Sequence, residues 1–351
     1  MRRLRELTRA LLDTGADVYT LRPEVLELTS ILSGAETSGL IRKELIGEGE
    51  SLTPDGLALS PTNAMMCADD YVRTIKFIRG VHTAIIDRNE RHSGRPVRVL
   101  YAGCGPYATL AVPLMSVLSP EAVTFTLVDI HAESIAAVKS IVESLGQADS
   151  VSAFQVADAG SYRIARDRQP DIVLMEIMQT CLENEPQVSV TRHLMSQAPD
   201  AVLIPEEVRI ELKLVDLSRE FTLHYSDQDV PELQRDRIQV DTLFRLNREA
   251  VASWDDGGRE LLPAAVVQIP KLPESRYQLM LFTIVDVFGD NTLRDYDSSL
   301  TVPRRTGDRL RFKPGDTVEF FYRCGAQPGL TCRVLEQSPD KTDQEPNPVK
   351  G

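Results

Sequence analysis

The residues best suited to chemistry cluster at the ends of short apolar segments. Val99-Leu100-Tyr101-Ala102-Gly103-Cys104-Gly105-Pro106 reads as a strand running into a Gly-x-Gly turn. Glycine has no Cβ, so Gly103 and Gly105 can take positive φ and let a ligand approach the main chain. Asp129 closes the next apolar segment, where a carboxylate can accept from both hydroxyls of a ribose. Asp158 closes the third, where a carboxylate can accept from an adenine amino group. Glu176 closes the fourth and stands nine positions ahead of Glu185. A carboxylate at a strand end can act on a nearby amine as base or charge partner. Ala108 takes the place of the third glycine of a dinucleotide fingerprint, which weakens a nicotinamide reading without removing it.

These residues need a scaffold, and the patterning supplies one. Strands are expected at 97–101, 123–128, 151–156, 171–175 and 201–204, with helices at 109–118, 131–145 and 188–197 between them. Gly146 is a stop signal for the second of those helices. Repeated β-α-β units predict a parallel sheet covered on both faces with right-handed crossovers, and ligands bind beyond the carboxyl ends of such strands. Ahead of it, residues 1–60 read as a helical segment with breaks near Gly34 and Gly47–Gly49 and a Pro54-Asp55-Gly56 turn, and 62–89 as one long helix. After Pro205, strands are expected at 208–217, 221–224, 264–269, 277–286, 300–302 and 317–322, the pattern of an antiparallel sandwich or barrel, with 230–252 partly helical. The stretch after 337 is polar and Pro-rich and is expected to be disordered. The expected division is 1–60 N-terminal helical, 61–207 cofactor-binding, 208–336 β-rich and 337–351 tail.

Two further motifs sharpen the reading. Asp70-Tyr71-Val72-Arg73, followed by Phe77, lies on the helix upstream of the glycine turn, and Glu176 to Glu185 carries Met178 at its third position. Together with the glycine turn and the strand-end carboxylates, this resembles the class I SAM-dependent methyltransferases, and within them the protein arginine methyltransferase branch. The motifs cover about residues 62–207; over 208–335 the likeness rests on the order of domains alone. The resemblance implies an α/β Rossmann-like methyltransferase sheet followed by a β-rich domain, with S-adenosyl-L-methionine (SAM) as cofactor. It implies that Arg73 pairs with the SAM carboxylate and that Gly103, Gly105, Asp129, Asp158 and Glu176 line the cofactor. In that branch a "double-E" loop grips a guanidinium, so Glu176 and Glu185 are the implied catalytic pair. A planar guanidinium suits the carboxylate task because it bonds bidentately. Three departures stand out: the acidic residue before the glycine turn is replaced around Tyr101, the loop between the glutamates lacks its usual glycine and aromatic pair, and no Thr-His-Trp motif occurs, Trp254 following Ser253. The last two remove elements of an arginine-substrate site and leave the SAM contacts.

Composition bounds the remaining options. With 52 acidic against 39 basic side chains and a net charge of −13, the chain repels phosphate backbones, so no nucleic-acid partner is expected. The five cysteines are scattered without a CxxC, which reads as reduced thiols in a cytoplasmic protein. The basic N-terminus is interrupted by charges, unlike a signal peptide, and no membrane span is expected. Among the histidines, His82, His92, His131, His193 and His224, none shows metal-ligand spacing, so no metal is expected; His131 is placed to touch cofactor and His193 is a weaker acid/base candidate. Tyr71, Phe77 and Tyr107 are candidates to face a sulfonium. The expected activity is methyl transfer from SAM to a small-molecule or amine nucleophile positioned by Glu176 and Glu185. Alternatives are a SAM-consuming cyclase of the azetidine-2-carboxylate synthase type, releasing methylthioadenosine, and a non-catalytic SAM-binding protein; an NAD-linked oxidoreductase stands further off. A homodimer is compatible with the resemblance.

Overall fold

Leu4, Leu7 and Leu11 recur at helical spacing, and all three are buried on one face of α1 (Arg2–Leu12). Val25, Leu28 and Leu32 do the same for α2 (Arg22–Ala35). The computed structural model describes residues 1–41, 49–91, 94–220, 235–254, 260–307 and 310–337. A hairpin of β1 (Ser51–Thr53) and β2 (Gly56–Ala58) comes next, then the short helix α3 (Pro61–Met66). After it stands α4 (Tyr71–Arg91), which buries side chains on nearly every side. One buried residue of α4, Arg79, donates to the carbonyls of Leu11 and Asp13, each at 2.6 Å. It thus satisfies orphan acceptors at the C-terminal end of α1, where a cation is favoured.

The alternation then runs β3 (Val97–Ala102), α5 (Val112–Met115), β4 (Val123–Asp129), α6 (Ala132–Ser144), β5 (Val151–Val156), β6 (Ile172–Met175), α7 (Gln187–Gln197) and β7 (Val202–Ile204). These strands form one parallel sheet in the order β5-β4-β3-β6-β7. That is the Rossmann-like order, with the chain reversing direction across the sheet at β3. One face of the sheet joins a large core shared with α1, α2 and α4, and the other packs against α7.

The second half holds β8 (Glu207–Asp216), α8 (Leu217–Glu220), β9 (Arg237–Asn247), α9 (Arg248–Ser253), β10 (Leu261–Gln268), β11 (Tyr277–Phe288), β12 (Asn291–Leu293), β13 (Arg304–Arg305), β14 (Thr317–Arg323) and β15 (Gly329–Glu336). It makes two antiparallel sheets, β12-β11-β8-β9 with β13 on β11, and β10-β14-β15. In β8, Val208, Ile210, Leu212 and Leu214 point inward while Arg209, Glu211 and Lys213 alternate outward. The expected α/β sheet with N-terminal helices and a β-rich part after it is therefore present.

Four local expectations need correction. The single helix at 62–89 is two, because Asp70 leaves the helical region (φ −73°, ψ 81°), and its Oδ2 accepts from Ser298 Oγ, Ser299 N and Ser299 Oγ at 2.8–2.9 Å. The helix at 109–118 shrinks to α5, since Pro113 has no N–H to give the carbonyl of Thr109 and fits only a first turn. Residues 299–301 form a 3₁₀ turn closed by a Ser298 capping box, not a strand. The stretch expected to be partly helical is mainly β9, followed by α9; a register shift opposite Ile210 and Glu211 buries both Leu243 and Phe244, which breaks the two-residue alternation. The strand expected at 221–224, residues 230–234 and the tail from 338 lie outside the described residues. Among the described residues no helix is long and apolar enough to cross a membrane.

The two halves meet where Gly80 of α4 lies against β11. A Cβ at Gly80 would stand 2.6 Å from Val287 Cγ1 and 3.3 Å from Phe288 N. Alanine normally favours a helix over glycine by about 1 kcal/mol. Here overpacking against a stiff β-branched side chain outweighs that gain, so Gly80→Ala is expected to lower unfolding free energy by about 1–2 kcal/mol. Urea denaturation decides it: a stabilised variant would contradict this packing.

Candidate active site

A cavity opens at the carboxyl end of β3, where the strand order reverses, and holds about 1040 Å³ including its mouth. Its lining gathers the residues expected to bind cofactor or catalyse: Arg73 from the first turns of α4, Gly103 and Gly105 after β3, Asp129 at the end of β4, Asp158 after β5, and Glu176 and Glu185 around the loop after β6. Phe77, Tyr107 and His131 line it as well, whereas Tyr71 faces a neighbouring shallow cleft. His193 is not among its walls; its Nε2 donates to the Tyr162 carbonyl at 2.7 Å.

The glycine turn is shaped by two different needs. Gly103 (φ 71°) is pressed by the protein itself, since a Cβ there would fall 2.1 Å from Ile177 Cγ2. Gly105 (φ 62°) has room for a Cβ, its nearest neighbour being Ala64 at 3.6 Å, so its glycine serves the backbone angle. The Gly105 N–H donates to Asp129 Oδ2 and the His131 N–H to Oδ1, both at 2.9 Å. Asp129 is thereby clamped by the main chain, yet each oxygen keeps a further lone pair to offer. Asp158 Oδ1 accepts from Gly160 N at 2.9 Å.

Arg73 and Glu176 form a buried ion pair deeper in the cavity. Burial works against the Arg73 charge, but Glu176 outweighs it and holds the guanidinium above its usual range. Burial pushes the Glu176 carboxyl up, and Arg73 pulls it part of the way back. Glu185 has no such cation to itself. Burial, and then the neighbouring Glu176, push its carboxyl up to about 8.

The loop that presents the two glutamates is not a relaxed one. Cys181, Leu182 and Asn184 all have positive φ, at 57°, 53° and 63°. Non-glycine residues there carry about 1 kcal/mol of strain or more each, so the surroundings must hold them. Cys181 N donates to Thr283 Oγ1 of β11 at 2.8 Å, and the buried Tyr322 hydroxyl of β14 donates to the Leu182 carbonyl at 2.7 Å. Asn184 N donates to Pro328 O at 3.3 Å, and Leu57 N of the hairpin donates to Asn184 O at 2.7 Å. Tyr322 is itself stacked on Phe244, and Phe244 on Trp254.

The sequence reading missed the roof. Thr53, Leu57, Ala58, Ala64, Cys67 and Ala68 cover the cavity from the hairpin, α3 and the turn after it. Ser51 reaches His131 Nε2 at 3.0 Å. The Pro54-Asp55-Gly56 signal marked the turn, but three-residue strands are too short to show alternation. It also missed Tyr101 as a cavity residue. Among the described residues no group of three or more His, Cys, Asp or Glu is placed to hold a metal ion.

No family model matches the sequence, and no curated protein matches it. Among solved structures, the chain is similar to "Trypanosoma brucei PRMT1 enzyme-prozyme heterotetrameric complex with AdoHcy", at 14% identity and a TM-score of 0.49, covering 78% of this chain and 93% of that one.

Glu185 gives a sign that can be checked. In the unfolded chain its carboxyl titrates near 4.5, and in the fold near 8. Between those values the folded state holds the extra proton, so stability should fall as pH rises through the window and level off above it. One such proton contributes at most about 1.4 kcal/mol per pH unit. Glu185→Gln should flatten this slope in urea melts between pH 5 and 8; an unchanged slope would show that Glu185 titrates normally.

Proposed function

We propose that the chain binds S-adenosyl-L-methionine in this cavity and catalyses methyl transfer to a nitrogen nucleophile of a small molecule or amine. The observation that carries the reading is the charge balance of the lining: one guanidinium, Arg73, against the carboxylates of Asp129, Asp158, Glu176 and Glu185. A cavity so charged favours a cationic ligand, and a buried carboxyl kept neutral by its neighbours can ionise when a cation enters. The clamped Asp129 supports a ribose diol, Asp158 an adenine amino group, and Arg73 the carboxylate of an amino-acid end.

When bound, SAM supplies an activated methyl group on a sulfonium whose departure leaves a neutral thioether. The chain's own residues supply the rest. Glu176 and Glu185 hold the acceptor nitrogen and take its proton as the new bond forms. The hairpin and α3 exclude water, and the strained loop fixes the glutamates relative to the glycine turn. On this reading residues 61–207, with the hairpin ahead of them, make up the cofactor-binding unit, and 208–336 brace the loop. The five free cysteines support a cytoplasmic setting.

Incubation with SAM and a panel of amines and guanidines, with the adenosine product identified, is the test. S-Adenosylhomocysteine is expected. Methylthioadenosine formed from SAM alone would instead establish intramolecular cyclisation. At saturating SAM, Glu176→Gln should slow methyl transfer by roughly a hundredfold. Asp129→Asn should weaken S-adenosylhomocysteine binding by roughly tenfold or more, read by calorimetry.

A further inference from the structure

A parallel sheet needs cover on both faces, and its crossovers ordinarily supply the helices. The crossover from β5 to β6 does not. Between Val156 and Ile172 the chain makes only a 3₁₀ turn, Arg166–Arg168. Val190 and Leu194 of α7 share a core with Ala102, Val128 and Met175, toward the carboxyl ends of their strands. By the two-residue period of β4, Thr124 and Thr126 stand on the same face as Val128. There the face opens into a second cavity, which holds about 1380 Å³ including its mouth. Its floor is polar where a packed helix would require apolar side chains: Thr124 and Thr126 on β4, Ser152 and Gln155 on β5.

The walls carry four arginines, Arg95 just ahead of β3, Arg98 on it, and Arg163 and Arg168 on the crossover. No aspartate or glutamate is among the lining residues. Arg95 is matched by Asp171, whose carboxylate accepts from both of its terminal nitrogens at 2.7 Å. Arg98 Nη1 donates to the Asp167 carbonyl at 2.9 Å, which holds the side chain without cancelling its charge. Arg98, Arg163 and Arg168 thus bring positive charge to one recess in a chain whose net charge is −13.

A guanidinium bonds bidentately to phosphate oxygens, and a cleft lined by one sign of charge concentrates ligands of the other. The acidic balance of the whole chain selects for size. A nucleic acid, or a second copy of this chain, would have to pass acidic surface to reach the arginines, whereas a small anion meets only the recess. We propose that this cavity is a binding site for a small molecule bearing a diphosphate group, which the three guanidiniums of Arg98, Arg163 and Arg168 balance in charge. It stands independently of what the cavity beneath the hairpin binds.

The probe is inorganic pyrophosphate, titrated calorimetrically into the full chain at low ionic strength without divalent cations. Uptake is expected. Replacing Arg163→Gln and Arg168→Gln together should weaken it roughly tenfold or more, through lost hydrogen bonds to a charged group. Arg166→Gln removes a charge from the same turn outside the walls and should leave the affinity nearly unchanged. All three of these arginines are exposed, so the fold does not depend on them. No uptake by the unmodified chain overturns the site. An equal loss in Arg166→Gln and in the double variant overturns it too, because it shows diffuse attraction and not a shaped recess. Binding of a poly-glutamate peptide with no uptake of pyrophosphate overturns the ligand class and assigns the face to an acidic protein segment.

Discussion

A guanidinium and a carboxylate held out of water at Arg73 and Glu176 set the terms for everything around them. Taking either charge alone into the cavity would carry a desolvation penalty of several kcal/mol, so each requires the other. The pair ties the first turns of α4 to the end of β6, and so fixes the long central helix against the parallel sheet at the point where the strand order reverses. Glu185 stands close by, and burial, then the Glu176 charge, push its carboxyl up to about 8, with Arg73 offsetting only part of this. Among the described residues Arg73 is the one lysine or arginine in the cavity lining, beside the carboxylates of Asp129, Asp158, Glu176 and Glu185.

The β-rich half gives this arrangement its rigidity. Three residues of the loop after β6 are held in the left-handed region, a conformation that survives only where neighbours over-determine it. Those neighbours come from far along the chain: Thr283 on β11, Tyr322 on β14 and Pro328 just before β15. The stack of Trp254, Phe244 and Tyr322 carries this support through the β-rich core, so the only tryptophan acts at a distance from the cavity through packing. Asp70 makes a second joint, holding Ser298 and Ser299 against the head of α4, three positions before Arg73. The second half of the chain therefore positions the glutamates, although it does not line the cavity among the described residues.

Much of this was legible before any coordinates because the relevant signals are local. β3 to β6 are short and largely apolar, and the glycine or carboxylate that closes or follows each of them, Gly103, Asp129, Asp158 and Glu176, lines one cavity. Where signals were not local, reading failed. The helix through 62–89 has unbroken apolar periodicity, but Asp70 is pulled out of it by serines 228 and 229 positions away. In β9, Leu243 and Phe244 are both buried because of a bulge set by the register with β8, which alternation within β9 cannot reveal. At Gly103, which lines the cavity, a Cβ would also meet Ile177, a contact made across the fold that the turn's own residues do not show. His193 fell in a suggestive place along the chain and turned out to be bonded to the Tyr162 carbonyl outside the cavity.

Local stretches of the chain encode the order of strands and helices in the parallel sheet. They also encode the placement of Asp129, Asp158 and Glu176 at strand ends, and the antiparallel character of the strands beyond Pro205. Strand ends, glycine turns and apolar periods each lie within about ten residues of one another, so no partner from elsewhere is needed to read them. Long-range packing, by contrast, determines which charges share a cavity wall, that Arg73 and Glu176 neutralise each other, and that Glu185 is left protonated near neutral pH. Packing also makes a hairpin far upstream into the roof and brings Tyr101 to the cavity wall. Burial and charge proximity depend on residues brought together from distant parts of the chain, and desolvation acts only once the fold has closed around them.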